Sequence, residues 1–452
     1  MMRLFDTAKG KVVPLEQRDA GVVSMYVCGP TVYGPPHLGH GRFSLVFDIL
    51  RRYLEWTGVE VRYVSNVTDV DDNIIAKAAA EERTETEVAV EWEAVWWKAM
   101  DAIGVKRPSV DPHATSYIER MVDFVGNLVD RGIAYETSDG VYLEAGRVDG
   151  YGLLARQTIE SLQAGARVEG SDEKRSPIDF ALWKKAKPGE PSWDSPWGPG
   201  RPGWHTECVV MSLDLLGDGF DLHGGGMDLA FPHHENERAQ AVALGRPFAR
   251  HWMHNGFVEV DGEKMSKSLR NFTTLLDLIE SVDPRAYRLL VLRSHYRSPV
   301  EVTKASTADA EAALQRLDAF ARRTAGLAGS VEPDASVLER FREQMEEDLD
   351  TPGAVDLLFR TVRQANTSLD MKDTTGAGLS AAAVRQICQA VGLTLDEGSD
   401  EAIPADVIEI ARRRDEARAA RDWAQADALR DELQADGWLV EDTASGTVVR
   451  RP

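Results

Sequence analysis

Val22–His40 reads VVSMYVCGPTVYGPPHLGH, and this stretch decides the fold. Its first seven residues, VVSMYVC, are a nearly continuous apolar run, the pattern of a parallel strand buried on both faces. A turn rich in glycine and proline follows, from Gly29-Pro30 to Pro35-Pro36, and apolar residues then recur at helical spacing from Leu38 to Leu54. Strand, glycine turn and helix in that order make the opening unit of a nucleotide-binding sheet. His37 and His40 stand three apart at the helix start, so both imidazoles point the same way. Gly39 removes a side chain where a nucleotide would press on the backbone. The helix N-terminus adds free N–H groups and a partial positive charge suited to phosphate.

A second short string, KMSKS at Lys264–Ser268, lies more than two hundred residues further on. Lys264 and Lys267 are placed there to close over the same phosphates from the opposite side. HLGH followed at this interval by KMSKS resembles the signature pair of class I aminoacyl-tRNA synthetases, and the resemblance implies ATP chemistry.

The chain of 452 residues is too long for one core, and two or three domains are expected. Its 43% hydrophobic and 28% charged content is ordinary for a soluble globular protein. No apolar run approaches the length of a membrane span, and the opening MMRLFDTAKGK lacks the apolar core of a signal peptide. Three cysteines, Cys28, Cys208 and Cys388, make no disulfide framework, so a cytoplasmic location is expected. A formal net charge of −22 argues against a general nucleic-acid binder. It leaves room for a tRNA held by local basic patches at Arg51-Arg52, Arg285 to Arg297 and Arg412 to Arg421, which equally read as solvated helix faces.

Residues 1–110 alternate strand and helix, with strands at VVSMYVC and VEVRYV (Val59–Val64), a helix over 38–56 and another beginning near Asn73. An insertion is expected over about 111–187, containing a hairpin around Ser138-Asp139-Gly140, and Pro188–Gly203 reads as loop. The sheet fold returns with Trp204–Leu216, Asp221–His223 and a helix starting at Pro232. The α/β, Rossmann-type parallel-sheet domain thus covers 1–300, an α-helical bundle 301–393, and a small C-terminal region 394–452. That last region is expected to be a charged helix, Ala405–Ala435, then a strand pair around Ser445-Gly446.

The segments MYVCGPTVYGPPHLGH, NVTDVDD, RPGWHTEC, DLHGGGMDLAFPHHENERAQ and GEKMSKSLRNF sharpen the resemblance to cysteinyl-tRNA synthetases. The tail ARAARDWAQADALRDELQADGWLVEDTASG resembles that family's anticodon-recognition region. The resemblance implies activation of L-cysteine with ATP and magnesium, and transfer to tRNA(Cys) by a monomer. It implies a zinc ion held by Cys28, Cys208, His233 and Glu237, all acceptable zinc ligands. His233 and Glu237, four apart, also share a helix face. Zinc takes a substrate thiolate well and a hydroxyl poorly, which allows rejection of serine without editing.

By the same resemblance Gly29, Thr31, Thr68 and Trp204 line the amino-acid pocket, and Gly224, Gly225, Gly226 and Asp228 approach adenosine. His37 and His40 hold the α- and β-phosphates, and Lys264 and Lys267 serve the leaving pyrophosphate. Two positions depart from the family pattern, Arg270 after KMSKS and Asn73 after DVDD. Trp438 is either a stacking platform for an unpaired base or small-domain core, and Cys388 is spaced like a helix-core residue. Two other readings stand beside the tRNA ligase: a mycothiol-pathway ligase giving cysteine to an amino sugar, and a non-catalytic synthetase-like RNA-binding protein.

Overall fold

The computed structural model describes residues 1–165, 173–260, 263–264, 274–328, 331–397, 404–443 and 446–450. The chain divides into two compact units, one of Met1–Arg316 with Leu327–Thr394 and one of Leu317–Gly326 with Leu395–Pro452.

The first unit opens with the antiparallel pair β1 (Arg3–Asp6) and β2 (Lys11–Pro14). Its centre is a four-stranded parallel sheet of β3 (Val22–Val27), β4 (Glu60–Val64), β9 (Leu222–Gly226) and β10 (His251–Asn255), in the order β10-β9-β3-β4. Val23, Met25 and Val27 of β3 are fully buried, as an apolar run covered on both faces requires. From β3 the chain passes through helix α1 (Leu38–Trp56) to β4 on one side, while β9 lies on the other. The strand order therefore reverses beside β3, and the crevice outside the carboxyl ends of β3 and β9 is where such sheets take their ligands. The helical hairpin α2 (Asp72–Glu81) and α3 (Glu85–Ala102) follows β4, and Thr84 and Glu87 form a capping box that starts α3.

Helix α4 (Ile118–Asp130) leads into a separate antiparallel sheet, β5 (Ala134–Glu136), β6 (Gly140–Leu143), β7 (Phe180–Lys185) and β8 (Gly200–Pro202), with α5 (Ile159–Gly165) between β6 and β7. The hairpin around Ser138–Gly140 is present. This sheet runs past 187, and part of the expected loop is strand: β8 pairs with β7 even though it contains Pro202. Proline is tolerated there because β8 is the edge of the sheet.

Helices α6 (Trp204–Leu216) and α7 (Glu235–Ala243) flank β9 in sequence. A three-stranded sheet, β12 (Glu263–Lys264), β11 (Val258–Val260) and β13 (Val300–Glu301), follows β10. Two short helices, α8 (Leu275–Ile279) and α9 (Pro284–Leu292), lie between β12 and β13. Buried Arg288 of α9 donates to Asp48 of α1 (2.6 Å) and to the carbonyls of Gly104 (2.8 Å) and Val391 (3.2 Å). The chain is then helical, as its composition predicts: α10 (Lys304–Arg323), α11 (Ala325–Ala328), α12 (Ala335–Glu346), α13 (Thr351–Asp370) and α14 (Thr374–Ala390). Cys388 is buried inside α14.

In the second unit the single helix expected over Ala405–Ala435 is two, α15 (Ala405–Ala419) and α16 (Trp423–Ala435). The break carries neither glycine nor proline; Arg421 takes a left-handed φ of 61°, and the Asp422 carboxylate caps α16 by accepting from Gln425 N–H at 3.1 Å. An antiparallel pair, β14 (Leu439–Thr443) and β15 (Gly446–Arg450), closes the unit. Trp438 is 7% exposed and packs with Val407, Ala411, Leu433 and Val449, so it is core and not a stacking platform. Among the described residues no helix is long and apolar enough to cross a membrane.

Candidate active site and metal cage

A cavity of about 490 Å³ opens at the carboxyl ends of β3, β9 and β10. Its wall includes Cys28, Gly29, Thr31, His37, Gly39, His40, Trp204, Cys208, Gly226, Asp228 and His233. Residues from Cys28 to Val258 meet there because β3, α1, α6 and β9 all start or finish at this edge of the sheet.

At one end stands α1. The His40 N–H donates to His37 Nδ1 and the His37 N–H to His40 Nδ1, both at 3.2 Å, so the two rings form a reciprocal capping box. Backbone N–H can only donate, so both Nδ1 atoms are acceptors and each neutral ring carries its proton on Nε2. The rings stack at 3.6 Å between centroids and 16° between planes, with the Trp96 ring edge-on to His40 at 5.4 Å. The arrangement presents two N–H donors beside the positive end of a helix, a fit for phosphate oxygens.

At the other end four donors converge. Cys28 Sγ lies 3.5 Å from both His233 Nε2 and Glu237 Oε1, and His233 Nε2 lies 3.0 Å from Glu237 Oε1. Cys208 Sγ completes the set, and all four donor atoms lie within 4.8 Å of one another. Ligands held at about 2.0–2.3 Å around a tetrahedral cation stand about 3.3–3.8 Å from each other, so the donor set and its spacing fit a metal ion. Burial pushes the Cys28 thiol well up, helped by the neighbouring Cys208 thiol and Glu237, and drives His233 toward its neutral form. Thiolates at this buried site would need a cation beside them.

Supporting groups fix the cage. His223 Nε2 bonds Glu237 Oε2 at 2.8 Å, His205 Nδ1 meets His233 Nδ1 at 2.8 Å, and the Trp204 ring stacks on His233 at 3.9 Å. A second donor set, Cys28, His223, His234 and Glu237, is equally compact. His223 and His234 do not line the cavity whereas Cys28, Cys208 and His233 do, so the first set is the one open to a substrate.

Some expected wall residues stand a layer back. Thr68 donates to Glu207 Oε2 at 3.1 Å and accepts from Asn66 Nδ2 at 3.2 Å, and it is Asn66 that faces the cavity. Asn66 Oδ1 also accepts from Gly29 N–H at 2.9 Å. Gly224 and Gly225 lie behind Gly226: a Cβ on Gly224 would come within 2.3 Å of the Phe47 ring, and one on Gly225 within 3.0 Å of His234. These two glycines allow α1 and the buried histidines to approach β9. Asn73 lines the cavity next to Asp71 and donates to its carboxylate at 2.7 Å. Lys264 lies in β12, whereas Lys267 and Arg270 fall outside the described residues.

Asn66 and the buried histidines His223, His234 and His254 were not picked out in the sequence. Asn66 and His223 sit inside NVTD and DLHGGGMD, and only the fold gives them partners. The expected basic patches are largely ion-paired: Arg51 with Glu55 (2.8 Å), Arg52 with Asp48 (2.8 Å), Arg285 with Asp283 (2.7 Å), and Arg414 and Arg418 with Asp442 (2.5 and 2.8 Å).

Residues 14–312 match the family described as tRNA synthetases class I (C) catalytic domain. Residues 340–396 match the DALR domain, and 400–450 the cysteinyl-tRNA ligase anticodon binding domain. The cysteine–tRNA ligase of Geobacillus thermodenitrificans is 42% identical over 465 residues, covering 100% of this chain and 99% of its own. That of Caldicellulosiruptor saccharolyticus is 43% identical over 464 residues, covering 100% of both. In fold the chain is similar to Mycobacterium tuberculosis methionyl-tRNA synthetase in complex with methionyl-adenylate, at a TM-score of 0.60 and 15% identity over 82% of this chain and 90% of that one. Full-length identity, three domain matches in order and a class I fold agree: the chain belongs to the cysteine–tRNA ligase family of class I aminoacyl-tRNA synthetases.

Proposed function

We propose that the chain activates L-cysteine with ATP to cysteinyl-adenylate and transfers the cysteine to tRNA(Cys). The observation that carries this reading is one cavity with a two-histidine phosphate end and a two-thiol, imidazole and carboxylate cage at the other.

We assign zinc to the cage of Cys28, Cys208, His233 and Glu237. Bound there, zinc would supply a borderline-soft Lewis acid that prefers the thiolate of cysteine to the hydroxyl of serine. The remaining chemistry belongs to the chain. Gly29, Thr31, Asn66 and Trp204 enclose the amino acid, with Asn66 held in place by Gly29 and Thr68. His37 and His40 donate Nε2–H to the α- and β-phosphates of the magnesium complex of ATP. Gly226 and Asp228 face the nucleoside. Lys264 and Lys267 follow pyrophosphate as it leaves. No general base is required, because the carboxylate of cysteine is already an ionised nucleophile; catalysis is positioning with charge stabilisation.

The tail 394–452 is assigned to anticodon recognition, which the family match at 400–450 supports. The enzyme is assigned to the cytoplasm as a monomer, and its three cysteines are buried and form no disulfide. Cysteine-dependent ATP–pyrophosphate exchange tests the activation step: exchange with cysteine and very little with serine is expected, and equal rates with the two amino acids would contradict the assignment.

A further inference from the structure

Arg42, two residues beyond the second signature histidine, is 1% exposed, and among the described residues no carboxylate stands within ion-pair distance of it. Its donors go to backbone carbonyls instead. Nη1 donates to Phe257 O, and Nη2 to Ser298 O, to Tyr296 O (3.2 Å) and to His295 O (3.4 Å). Burial lowers the guanidinium to about 10, which still leaves it charged at neutral pH.

The carbonyls belong to two segments that root the small sheet β12-β11-β13. Phe257 immediately precedes β11, whose Glu259 pairs with Lys264 of β12. Ser298 lies two residues before β13. The segments also hold each other: Gly256 N–H donates to Tyr296 O at 2.8 Å and Val300 N–H to Phe257 O at 3.0 Å. Gly256 is required for this approach, since a Cβ there would come within 2.7 Å of the carbonyl oxygens of Arg297 and Ser298. From its far side the 295–298 turn grips the helical region through Asp348, which accepts from the Tyr296 hydroxyl (2.7 Å) and Arg297 Nε (2.8 Å).

The start of one helix thus carries both histidines, His37 as its cap and His40 in its first turn, and two residues later the cation that fastens the root of the strand leading to Lys264. A buried cation whose hydrogen bonds go to carbonyls of other segments, with its Nε left without a partner and the Glu259 carboxylate favouring its charge, contributes registry more than stability. We propose that Arg42 is a positioning residue of the activation step, fixing the lysine-bearing strand against the His37/His40 end of the cavity without touching substrate. This rests on the proposed reaction and adds a residue that it does not assign.

The test uses the full chain with Arg42→Lys, Arg42→Met, Lys264→Ala and the double variant Arg42→Met/Lys264→Ala in ATP–pyrophosphate exchange. Arg42→Met is expected to lower kcat about 10- to 100-fold, as small misplacements of reacting groups do, with the KM for cysteine within about twofold. Because the arginine acts through the lysine strand, the double variant should lose less than the product of the single losses. Fully multiplicative losses, or an unchanged kcat with a raised cysteine KM, would overturn the proposal. Hydrogen exchange over Phe257–Lys264 reads the same contact without turnover and in the milder Arg42→Lys: faster exchange there than in wild type is expected, and unchanged protection would also overturn it. A wild type without cysteine-dependent exchange would count against the reaction alone, since the hydrogen-exchange comparison still decides the role of Arg42.

Discussion

At the scale of single residues the site is a matter of which atoms are committed. Both Nδ1 atoms of His37 and His40 are tied to backbone N–H groups, so each neutral ring carries its proton on Nε2. The cage is likewise fixed by what lies behind it, His223 on Glu237 and His205 on His233. Replacing Cys28 or Cys208 by serine removes one thiolate of four ligands, so both variants should purify with much less zinc than the roughly one ion per chain of wild type. Cys388, buried inside α14 and outside the cage, should tolerate serine with its metal content unchanged. Metal analysis by mass spectrometry on the three variants checks this, and a Cys388→Ser protein as depleted as Cys208→Ser would contradict it.

Further back, His254 shares hydrogen bonds with Thr7 Oγ1 at 2.7 Å and His234 Nδ1 at 2.8 Å, and burial, followed by the neighbouring His223, lowers it to about 3. The folded value lies below the usual ~6.5, so the unfolded chain binds this proton first as pH falls. Its contribution is complete above about pH 6.5 and is lost toward pH 3, with a slope of up to about 1.4 kcal/mol per pH unit. In urea titrations between pH 7.5 and 4.5, His254→Gln should show a shallower pH dependence than wild type; parallel dependences would contradict the assignment.

At the scale of elements, what the sequence made legible was periodicity and punctuation. The apolar run of β3, the turn and the amphipathic α1 were read correctly because each signal is local. The break between α15 and α16 was not, because Arg421 supplies the left-handed turn without glycine and only Asp422, as a cap, marks the restart. β8 was hidden in a Pro/Gly-rich stretch, since an edge strand needs only one partner. The glycines of DLHGGG were legible as a site for close approach but not as to what approaches. Gly224 meets Phe47 of α1 and Gly225 meets His234, leaving Gly226 at the cavity. Gly224→Ala should therefore destabilise by about 1–3 kcal/mol through overpacking, measured by denaturant unfolding with zinc retained. An unchanged stability would mean that Phe47 moves aside freely.

At the scale of the whole molecule the motifs specify chemistry more fully than placement. HLGH and the expected metal ligands led to residues that the fold gathers around one cavity, yet that Asn66 and not Thr68 lines it follows only from how the chain after β4 meets α6. The residues proposed for adenylation lie before Asn271 in the chain, whereas Val407, Ala411, Leu433, Trp438 and Val449 form a separate small core near the C-terminus. Deleting Ala405–Pro452 should leave cysteine-dependent pyrophosphate exchange largely intact while sharply weakening tRNA charging. Exchange lost together with charging would show that the tail is needed for activation itself.

The family to which the chain belongs and the geometry of its cavity meet in one claim, transfer of cysteine to tRNA. The most direct measurement is the formation of labelled cysteinyl product from ATP and cysteine with a tRNA(Cys) transcript as acceptor, run beside glucosaminyl-inositol as the competing amino-sugar acceptor. The account predicts rapid, cysteine-specific charging of the tRNA and none of the amino sugar. Activation of cysteine with transfer to the amino sugar, or with no transfer to tRNA, would contradict it.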